Sequence, residues 1–185
     1  SRSVRAILDA GGLGQTQILA SGDLDEYRVE ELVTADAPID GFGVGTALST
    51  SRDAPALGGV YKLVEIEREG GMVPLMKLSV GKQTVPGAKQ VWRISSTGRI
   101  ERDVVALDAE TIGHGSPLLK QVMRGGARCA DSPDLFDLQA ACVDAVERLP
   151  ESVRRFREPG PFRVDRSVGL DRLLSRMVRS PSGAV

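Results

Sequence analysis

The sequence predicts an α/β fold: a partial α/β barrel followed by a small antiparallel β region and C-terminal helices. Strand-like apolar runs alternate with helical patterns over residues 1–58, which predicts the last βα units of a barrel. Two of these runs end in glycine-containing turns, SGD at 21–23 and GVGT at 43–46. A change of pattern beyond residue 58 predicts a β-rich segment over 59–110 and a mainly helical segment over 111–185.

The first segment places the two turns one βα unit apart. A helix over SRSVRAILDA leads into the strand QTQILA, and a second helix follows SGD. Asp23, with Glu26 three residues later, fits a capping box, so Asp23 either caps this helix or serves a ligand. The run DGFGVGTALST supplies the next strand and its turn. Loops that follow parallel strands of a barrel share one face, so we expect SGD and GVGT to lie at the same edge.

The GVGT turn has the composition of an anion-binding loop. Gly43 and Gly45 remove side chains where a backbone approaches a ligand, and Thr46 adds a hydroxyl. Free N–H groups at the start of a helix attract phosphate. Glycines also serve plain tight turns, so the motif alone leaves both interpretations open.

The β-rich segment contains short apolar runs and several cations. The runs are VYKLVEIE, PLMKLSV, KQVWRIS and RIERDVVAL, and STGR predicts a hairpin turn between the last two. Cations gather in the same region: Lys62, Lys77, Lys82, Lys89 and Arg93. They form either a solvated surface or contacts to an anionic substrate.

The last segment predicts two amphipathic helices. In the first, Ser132 is the expected cap and Pro133 occupies the first turn. Its core stripe is predicted to contain Leu135, Leu138, Cys142, Val146 and Leu149. The second helix has its apolar stripe at Leu170, Leu173, Leu174 and Met177.

Composition narrows the function classes. The chain has 185 residues, 41% of them hydrophobic, and a net charge of -1, so nothing global favours nucleic acid or a membrane surface. No apolar run is long enough to span a bilayer, which predicts a soluble, cytoplasmic protein. Cys129 and Cys142 lack metal-ligand spacing and are expected to be reduced core residues. His114, the single histidine, has no partner residues nearby in sequence, so a loop or core role is expected.

Five blocks, in order, resemble the C-terminal half of nicotinate phosphoribosyltransferases. They are ILASGDLDE, IDGFGVGT, GGVYKLVEI, MKLSVGKQTVPGAKQVWR and LPESVRRFREPGPFRV, and together they span most of the chain. Members of that family have a TIM-like barrel of the type II phosphoribosyltransferases. They condense nicotinate with phosphoribosyl pyrophosphate to give nicotinate mononucleotide and pyrophosphate, coupled to ATP hydrolysis, in NAD salvage.

The resemblance implies roles for both turns. Gly43, Val44, Gly45 and Thr46 would bind the 5-phosphate of phosphoribosyl pyrophosphate. Ser21, Gly22 and Asp23 would lie beside the ribose. Further candidates for pyrophosphate contacts are Lys77, Lys82, Lys89 and Arg93. The resemblance also implies magnesium and ATP as cofactors and assembly as a homodimer.

The resemblance also implies that part of the enzyme lies elsewhere. The family's phosphorylated histidine and its Arg-Leu-Asp-Ser-Gly-Asp motif belong upstream of the matched segment, so no catalytic residue and no metal ligand is assigned here and His114 does not take that role. We therefore expect this chain to work with an N-terminal half of the same enzyme and to be inactive alone. Two alternatives are a non-catalytic phosphate-binding or partner-binding module, and another barrel enzyme that shares the phosphate loops.

Overall fold

The structure is a computed structural model that describes residues 1–56, 58–79, 81 and 83–179. The chain forms two compact units, Ser1–Val60 and Tyr61–Val185. Both units contain helices and strands, so the predicted α/β class is confirmed. Among the described residues, no helix is long and apolar enough to cross a membrane.

The first unit is built around two parallel strands. Its elements are α1 (Arg2–Ala10), β1 (Leu19–Ser21), α2 (Glu26–Thr34), β2 (Gly41–Gly43) and α3 (Thr46–Thr50). β1 pairs with β2 in parallel, with Leu19 opposite Gly41 and Ser21 opposite Gly43. Both strands therefore end at the same level, which confirms the prediction that the SGD and GVGT loops share one edge.

The described residues of this unit do not form a closed barrel. They contribute a sheet of two strands of three residues each, joined through α2. A complete barrel of this class needs eight parallel strands. The barrel part of the fold therefore stays a prediction, and the observed part is one βαβ unit.

The cap of α2 differs from the sequence prediction. Asp25, not Asp23, is the N-cap residue, and its side chain accepts a hydrogen bond of 2.8 Å from the N–H of Arg28. The reason is the backbone: Gly22 and Asp23 both have positive φ, +113° and +48°, so the chain is still turning at Asp23. The helix begins only after that turn is complete.

The second unit contains short hairpins and a four-stranded sheet. Its strands are β3 (Glu65–Arg68), β4 (Gly71–Pro74), β5 (Lys89–Ser96), β6 (Arg99–Leu107), β7 (Gly115–Pro117), β8 (Met123–Arg124), β9 (Ala127–Arg128) and β10 (Val164–Arg166). The β5–β6 hairpin turns at Thr97 and Gly98, with φ of +47° and +81°, the pattern of a type I′ turn. The hairpin predicted from STGR is therefore confirmed.

The main sheet has the strand order β10-β6-β5-β7. The pairs β3–β4 and β5–β6, which lie within residues 59–110, are antiparallel as predicted, and β7 is also antiparallel to β5. β10 comes from the segment predicted to be mainly helical and is parallel to β6. β10 follows α4 and α5 in the chain. This long connection lets β10 run in the same direction as β6, whereas a short hairpin would make the two strands antiparallel. Strands on both sides of residue 110 thus share one sheet.

Helices of the second unit differ in how they pack. They are α4 (Leu135–Arg148), α5 (Glu151–Arg154) and α6 (Val168–Arg179). Leu173 and Met177 of α6 form the core with Met76, and Leu170 is also buried, so the predicted stripe of α6 is confirmed. The run PLMKLSV was predicted as a strand, but β4 ends at Pro74 and Leu75 and Met76 lie buried beyond it.

The predicted core stripe of α4 is wrong for this structure. No residue of α4 is buried, and Leu135 and Leu138 are 74% and 51% exposed. Its cap is Asp134 rather than Ser132, because the Asp134 carboxylate accepts from the N–H of Phe136 at 2.8 Å. The core prediction for the cysteines is also wrong: Cys142 on α4 and Cys129 after β9 are both exposed. The amphipathic spacing correctly predicted the helix α4, but it did not show whether other residues cover the apolar face of α4.

Candidate functional site

A pocket lies between the loops that follow β1 and β2. Its volume is about 240 Å³. The lining residues come from both loops and from the chain after α3: Gly22, Asp23, Leu24, Gly43, Gly45, Thr46, Ala47 and Arg52. The parallel register of β1 and β2 explains the pocket, because it brings both strand ends to one edge.

The SGD loop turns sharply where it enters the pocket. Gly22, at φ +113°, has a conformation that L side chains rarely adopt. Asp23 follows at φ +48°, a left-handed conformation that aspartate tolerates better than most residues. Together these two residues place the Asp23 carboxylate at the pocket, and Asp25 is left to cap α2.

The two glycines of the GVGT loop serve different purposes. A Cβ at Gly43 would lie 3.2 Å from Cβ of Ser21, so glycine permits the close approach of the two loops. A Cβ at Gly45 would meet no protein atom within 4 Å, so packing within the protein does not explain glycine there. Gly45 is the N-cap residue of α3 and lines the pocket.

Thr46 presents a hydroxyl at the start of α3. The N–H groups of Leu48 and Ser49 donate to the Gly45 carbonyl at 3.1 and 3.0 Å. Among the described residues, the N–H groups of Thr46 and Ala47 have no acceptor and are available to an anion. The hydroxyls of Ser49 and Thr50 instead donate back to the carbonyls of Gly45 and Thr46, at 3.2 and 2.6 Å. Within the described residues, the Thr46 hydroxyl has no such partner.

Most of the residues predicted for the site come together. Five of the predicted residues line the pocket: Gly22, Asp23, Gly43, Gly45 and Thr46. Ser21 and Val44 belong to the same loops but are not among the lining residues. Ser21 instead lies against Gly43, and Val44 is half-buried.

Arg52 lines the pocket, and the sequence analysis missed it. It follows Ser51, the C-cap of α3, which has a left-handed backbone with φ +45° and ψ +57°. This turn directs the chain back toward the pocket edge. The sequence indicates Arg52 only through its closeness to GVGT. No sequence pattern predicts that the backbone of Ser51 is left-handed.

A second cavity adjoins the SGD loop. It has a volume of about 430 Å³ and shares Gly22, Asp23 and Leu24 with the first pocket. Its other lining residues belong to α2 and include Arg28 and Glu31, which form an exposed ion pair at 3.4 Å. Asp23 thus borders two cavities, one of them beside a paired cation.

The other predicted cations belong to the second unit, where two have structural partners. Lys89 Nζ donates to the carbonyls of Val85 and Gly87, and burial lowers the pKa of Lys89, partly offset by Glu65. Arg93 donates twice to the Asp103 carboxylate at 2.9 Å, and this hydrogen bonding raises the pKa of Arg93. Lys77 is exposed, and Lys82 lies outside the described residues.

The remaining polar residues do not suggest further chemistry. His114 is exposed in the loop before β7, with φ +66°. Among the described residues, no group of three His, Cys, Asp or Glu side chains is arranged to hold a metal ion.

Comparisons with known proteins agree with one another. The sequence model described as "Nicotinate phosphoribosyltransferase C-terminal domain" matches residues 114–174. The nicotinate phosphoribosyltransferase of Bacillus subtilis is 34% identical over 90% of this chain and 39% of its own length. The Mycobacterium tuberculosis protein named nicotinate phosphoribosyltransferase pncB2 is 40% identical over 91% of this chain and 36% of its own length.

One solved structure shares the fold. The human nicotinic acid phosphoribosyltransferase has a TM-score of 0.66 and 24% identity over 96% of this chain and 36% of that protein. The chain thus spans between 36% and 39% of the length of these relatives. On the sequence matches, the chain belongs to the nicotinate phosphoribosyltransferase family and corresponds to its C-terminal part.

Proposed function

We propose that this chain supplies the C-terminal part of a nicotinate phosphoribosyltransferase. The reaction joins nicotinate to phosphoribosyl pyrophosphate, giving nicotinate mononucleotide and pyrophosphate with ATP hydrolysis. Family membership supports the proposal. The chain spans 39% and 36% of the length of two relatives, which supports placing the complete reaction in a longer enzyme. In the cell this activity would return nicotinate to NAD.

The pocket between the two loops is the proposed site of the sugar 5-phosphate. The observation that carries this assignment is the parallel register of β1 and β2, which places both glycine turns around one cavity. Gly43 and Gly45 offer backbone N–H groups and Thr46 offers a hydroxyl, and all three are suitable donors to phosphate oxygens. Val44 would contribute through its backbone.

The SGD loop would hold the ribose. Asp23 lines the same pocket, so its carboxylate is placed to accept a hydrogen bond from a ribose hydroxyl when the phosphate is bound. As pyrophosphate leaves C1, the ribose gains positive charge, which a fixed carboxylate stabilises. Ser21 and Gly22 would set the position of Asp23. Much of the remaining rate acceleration would come from holding C1 of the ribose against nicotinate in the reactive orientation.

Magnesium and ATP enter the proposal through the family resemblance alone. A magnesium ion would neutralise pyrophosphate oxygens, but the described residues offer no cluster of metal ligands and Asp23 is the one carboxylate among those that line the pocket. These residues do not make a metal site. Exposed Lys77, and Lys82, remain proposed contacts for pyrophosphate.

The proposal also covers the rest of the enzyme. The βαβ unit of residues 1–60 would be the last part of a TIM-like barrel that an N-terminal half completes. The assembled enzyme would be a cytoplasmic homodimer. Among the described residues, β1 and β2 pair with no further strand, and a sheet edge without a partner strand favours such completion.

The direct test replaces Thr46 with valine in the full-length protein. Thr46→Val keeps the side-chain volume and removes a hydroxyl donor to a charged oxygen, a hydrogen bond worth roughly 1.5 to 3 kcal/mol. We expect the KM for phosphoribosyl pyrophosphate to rise about tenfold to hundredfold. The KM for nicotinate at saturating co-substrate and the melting temperature should change little.

Thr34→Val is a matched control, because Thr34 is an exposed threonine at the end of α2 and lines neither cavity. It should leave both Michaelis constants at their wild-type values. An unchanged KM for phosphoribosyl pyrophosphate in Thr46→Val would show that the Thr46 hydroxyl does not bind the phosphate. A lowered melting temperature with unchanged constants would make Thr46 a structural residue only.

A further inference from the structure

We infer that Arg52 is a phosphate-binding residue that supplies the positive charge of the phosphate site. The inference rests on the proposed function of the pocket and adds a residue to it. It comes from three observations: where the chain places Arg52, what its side chain contacts, and the charge of the residues around it.

The end of α3 is shaped so that Arg52 returns to the pocket. The N–H of Arg52 donates to the carbonyl of Ala47 at 3.1 Å, and the N–H of Ser51 donates to the carbonyl of Leu48 at 3.4 Å. This pair of bonds, with Ser51 left-handed at φ +45°, is a Schellman motif. Glycine is the usual residue at such a position, and serine adopts it at some energetic cost. The motif fixes Arg52 directly behind the turn, next to Ala47 and Thr46.

Arg52 differs from the other arginines of the first unit. Arg2 donates to the carbonyl of Ala35 at 2.7 Å, and Arg5 donates to the carbonyl of Thr16 at 2.8 Å. Arg28 pairs with Glu31. Among the described residues, the side chain of Arg52 has neither a hydrogen-bond nor an ion-pair partner, although the Asp23 carboxylate lines the same pocket. A bound anion would therefore displace no hydrogen bond or ion pair of this guanidinium among the described residues.

A cation at the pocket would strengthen the binding of an anion. The other donors are neutral, being backbone N–H groups and the Thr46 hydroxyl, and Asp23 contributes one negative charge. Without Arg52 the lining would be anionic and would repel a doubly charged phosphate. With Arg52 the lining is neutral, and its planar guanidinium offers two parallel N–H donors to a phosphate.

The ligand class that follows is a sugar phosphate in its dianionic form. Asp23 would accept from sugar hydroxyls, while Arg52 and the GVGT loop would bind the 5-phosphate. Because the Arg52 interaction is ionic and exposed, its contribution should weaken as salt is added.

The test compares Arg52→Gln and Arg52→Lys in the full-length protein. We expect Arg52→Gln to raise the KM for phosphoribosyl pyrophosphate about tenfold to hundredfold at low salt. The difference from wild type should shrink at high salt. Arg52→Lys should bind phosphoribosyl pyrophosphate better than Arg52→Gln but less well than wild type. Lysine keeps the positive charge but lacks the two parallel N–H donors of the guanidinium. The KM for nicotinate and the melting temperature should not change.

Arg99→Gln is the matched control, because Arg99 is an exposed arginine of the second unit and loses the same charge. Thr46→Val separates the two levels of the argument. If Thr46→Val weakens phosphoribosyl pyrophosphate and Arg52→Gln behaves like Arg99→Gln, the Arg52 role is wrong and the proposed function stands. If neither Thr46→Val nor Arg52→Gln changes that KM, the phosphate site itself is wrong. A lower melting temperature for Arg52→Gln without a KM change would also overturn the inference.

Discussion

Asp165 shows at the scale of one residue how charge holds the second unit together. Its carboxylate accepts from Arg163 and Arg102, each with an N···O distance of 2.9 Å. The hydrogen bond from Arg163 is the largest of the effects that lower the pKa of Asp165 below 3.8. A carboxylate with a lowered pKa in the folded state stabilises the protein at neutral pH.

The pH dependence of stability tests this pair of contacts. The stabilisation by Asp165 is fully present above the unfolded pKa of about 3.9 and is lost as pH falls through the lower folded pKa. Asp165→Asn should therefore melt at a lower temperature than wild type at pH 7. The two melting curves should converge as the pH falls below 4. A difference that stays constant down to the most acidic pH would show that the charge of Asp165 is irrelevant.

The site residues that could be predicted from the sequence all lie in turns that contain glycine. Gly43, Gly45 and Thr46 were found because a glycine turn after a strand has a recognisable chemistry. Arg52 was not found, because its position depends on a left-handed serine that no sequence rule identifies. Asp23 has two predicted roles, helix cap or ligand contact, and the backbone conformation at Gly22 and Asp23 excludes the first, because the cap lies at Asp25. The ligand contact stays a prediction.

At the scale of an element, the start of α6 depends on one buried hydrogen-bond network. The Ser167 hydroxyl donates to the Glu110 carboxylate and accepts from the N–H of Leu170 at 3.0 Å, which caps the helix. The same carboxylate accepts from the N–H of Leu107 at 2.9 Å. A Cβ at Gly169 would collide with the other carboxylate oxygen of Glu110. The glycine therefore lets the network approach the helix.

Gly169→Ala should destabilise the protein. Overpacking costs about 1–3 kcal/mol, and the higher helix propensity of alanine returns up to about 1 kcal/mol, so we expect a net loss of about 1 kcal/mol. Thermal or denaturant unfolding measures the change. Gly113→Ala is the control, because a Cβ there meets nothing within 4 Å. If Gly169→Ala is equally destabilising in a Glu110→Ala background, the collision with Glu110 is not the cause.

Elements were predictable where local pattern and turn chemistry agreed. The β5–β6 hairpin followed from alternating residues around Thr97 and Gly98, and both adopt the positive φ that the turn requires. The parallel pairing of β10 with β6 was not predictable, because it joins residues about sixty positions apart. The apolar face of α4 illustrates a different limit: periodicity identifies a helix, but tertiary contacts decide what covers it.

At the scale of the whole molecule, the account predicts that residues 1–185 do not catalyse the reaction alone. The chain spans 36% to 39% of its relatives' length, and catalytic groups that act as a unit lose nearly everything when some are absent. The full-length protein should form nicotinate mononucleotide when magnesium and ATP are supplied. Mass-verified residues 1–185 should give no product above background in the same assay. Turnover by the isolated chain would contradict the proposal that catalysis also needs the N-terminal half of the enzyme.

The central claim is that the SGD and GVGT loops together hold the sugar phosphate. The most direct measurement is a crystal structure of the full-length protein with phosphoribosyl pyrophosphate. We expect the 5-phosphate oxygens within about 2.7–3.2 Å of the Gly45 amide nitrogen and the Thr46 hydroxyl, with the Asp23 carboxylate beside the ribose. Bound phosphoribosyl pyrophosphate whose 5-phosphate lies away from both loops would contradict it.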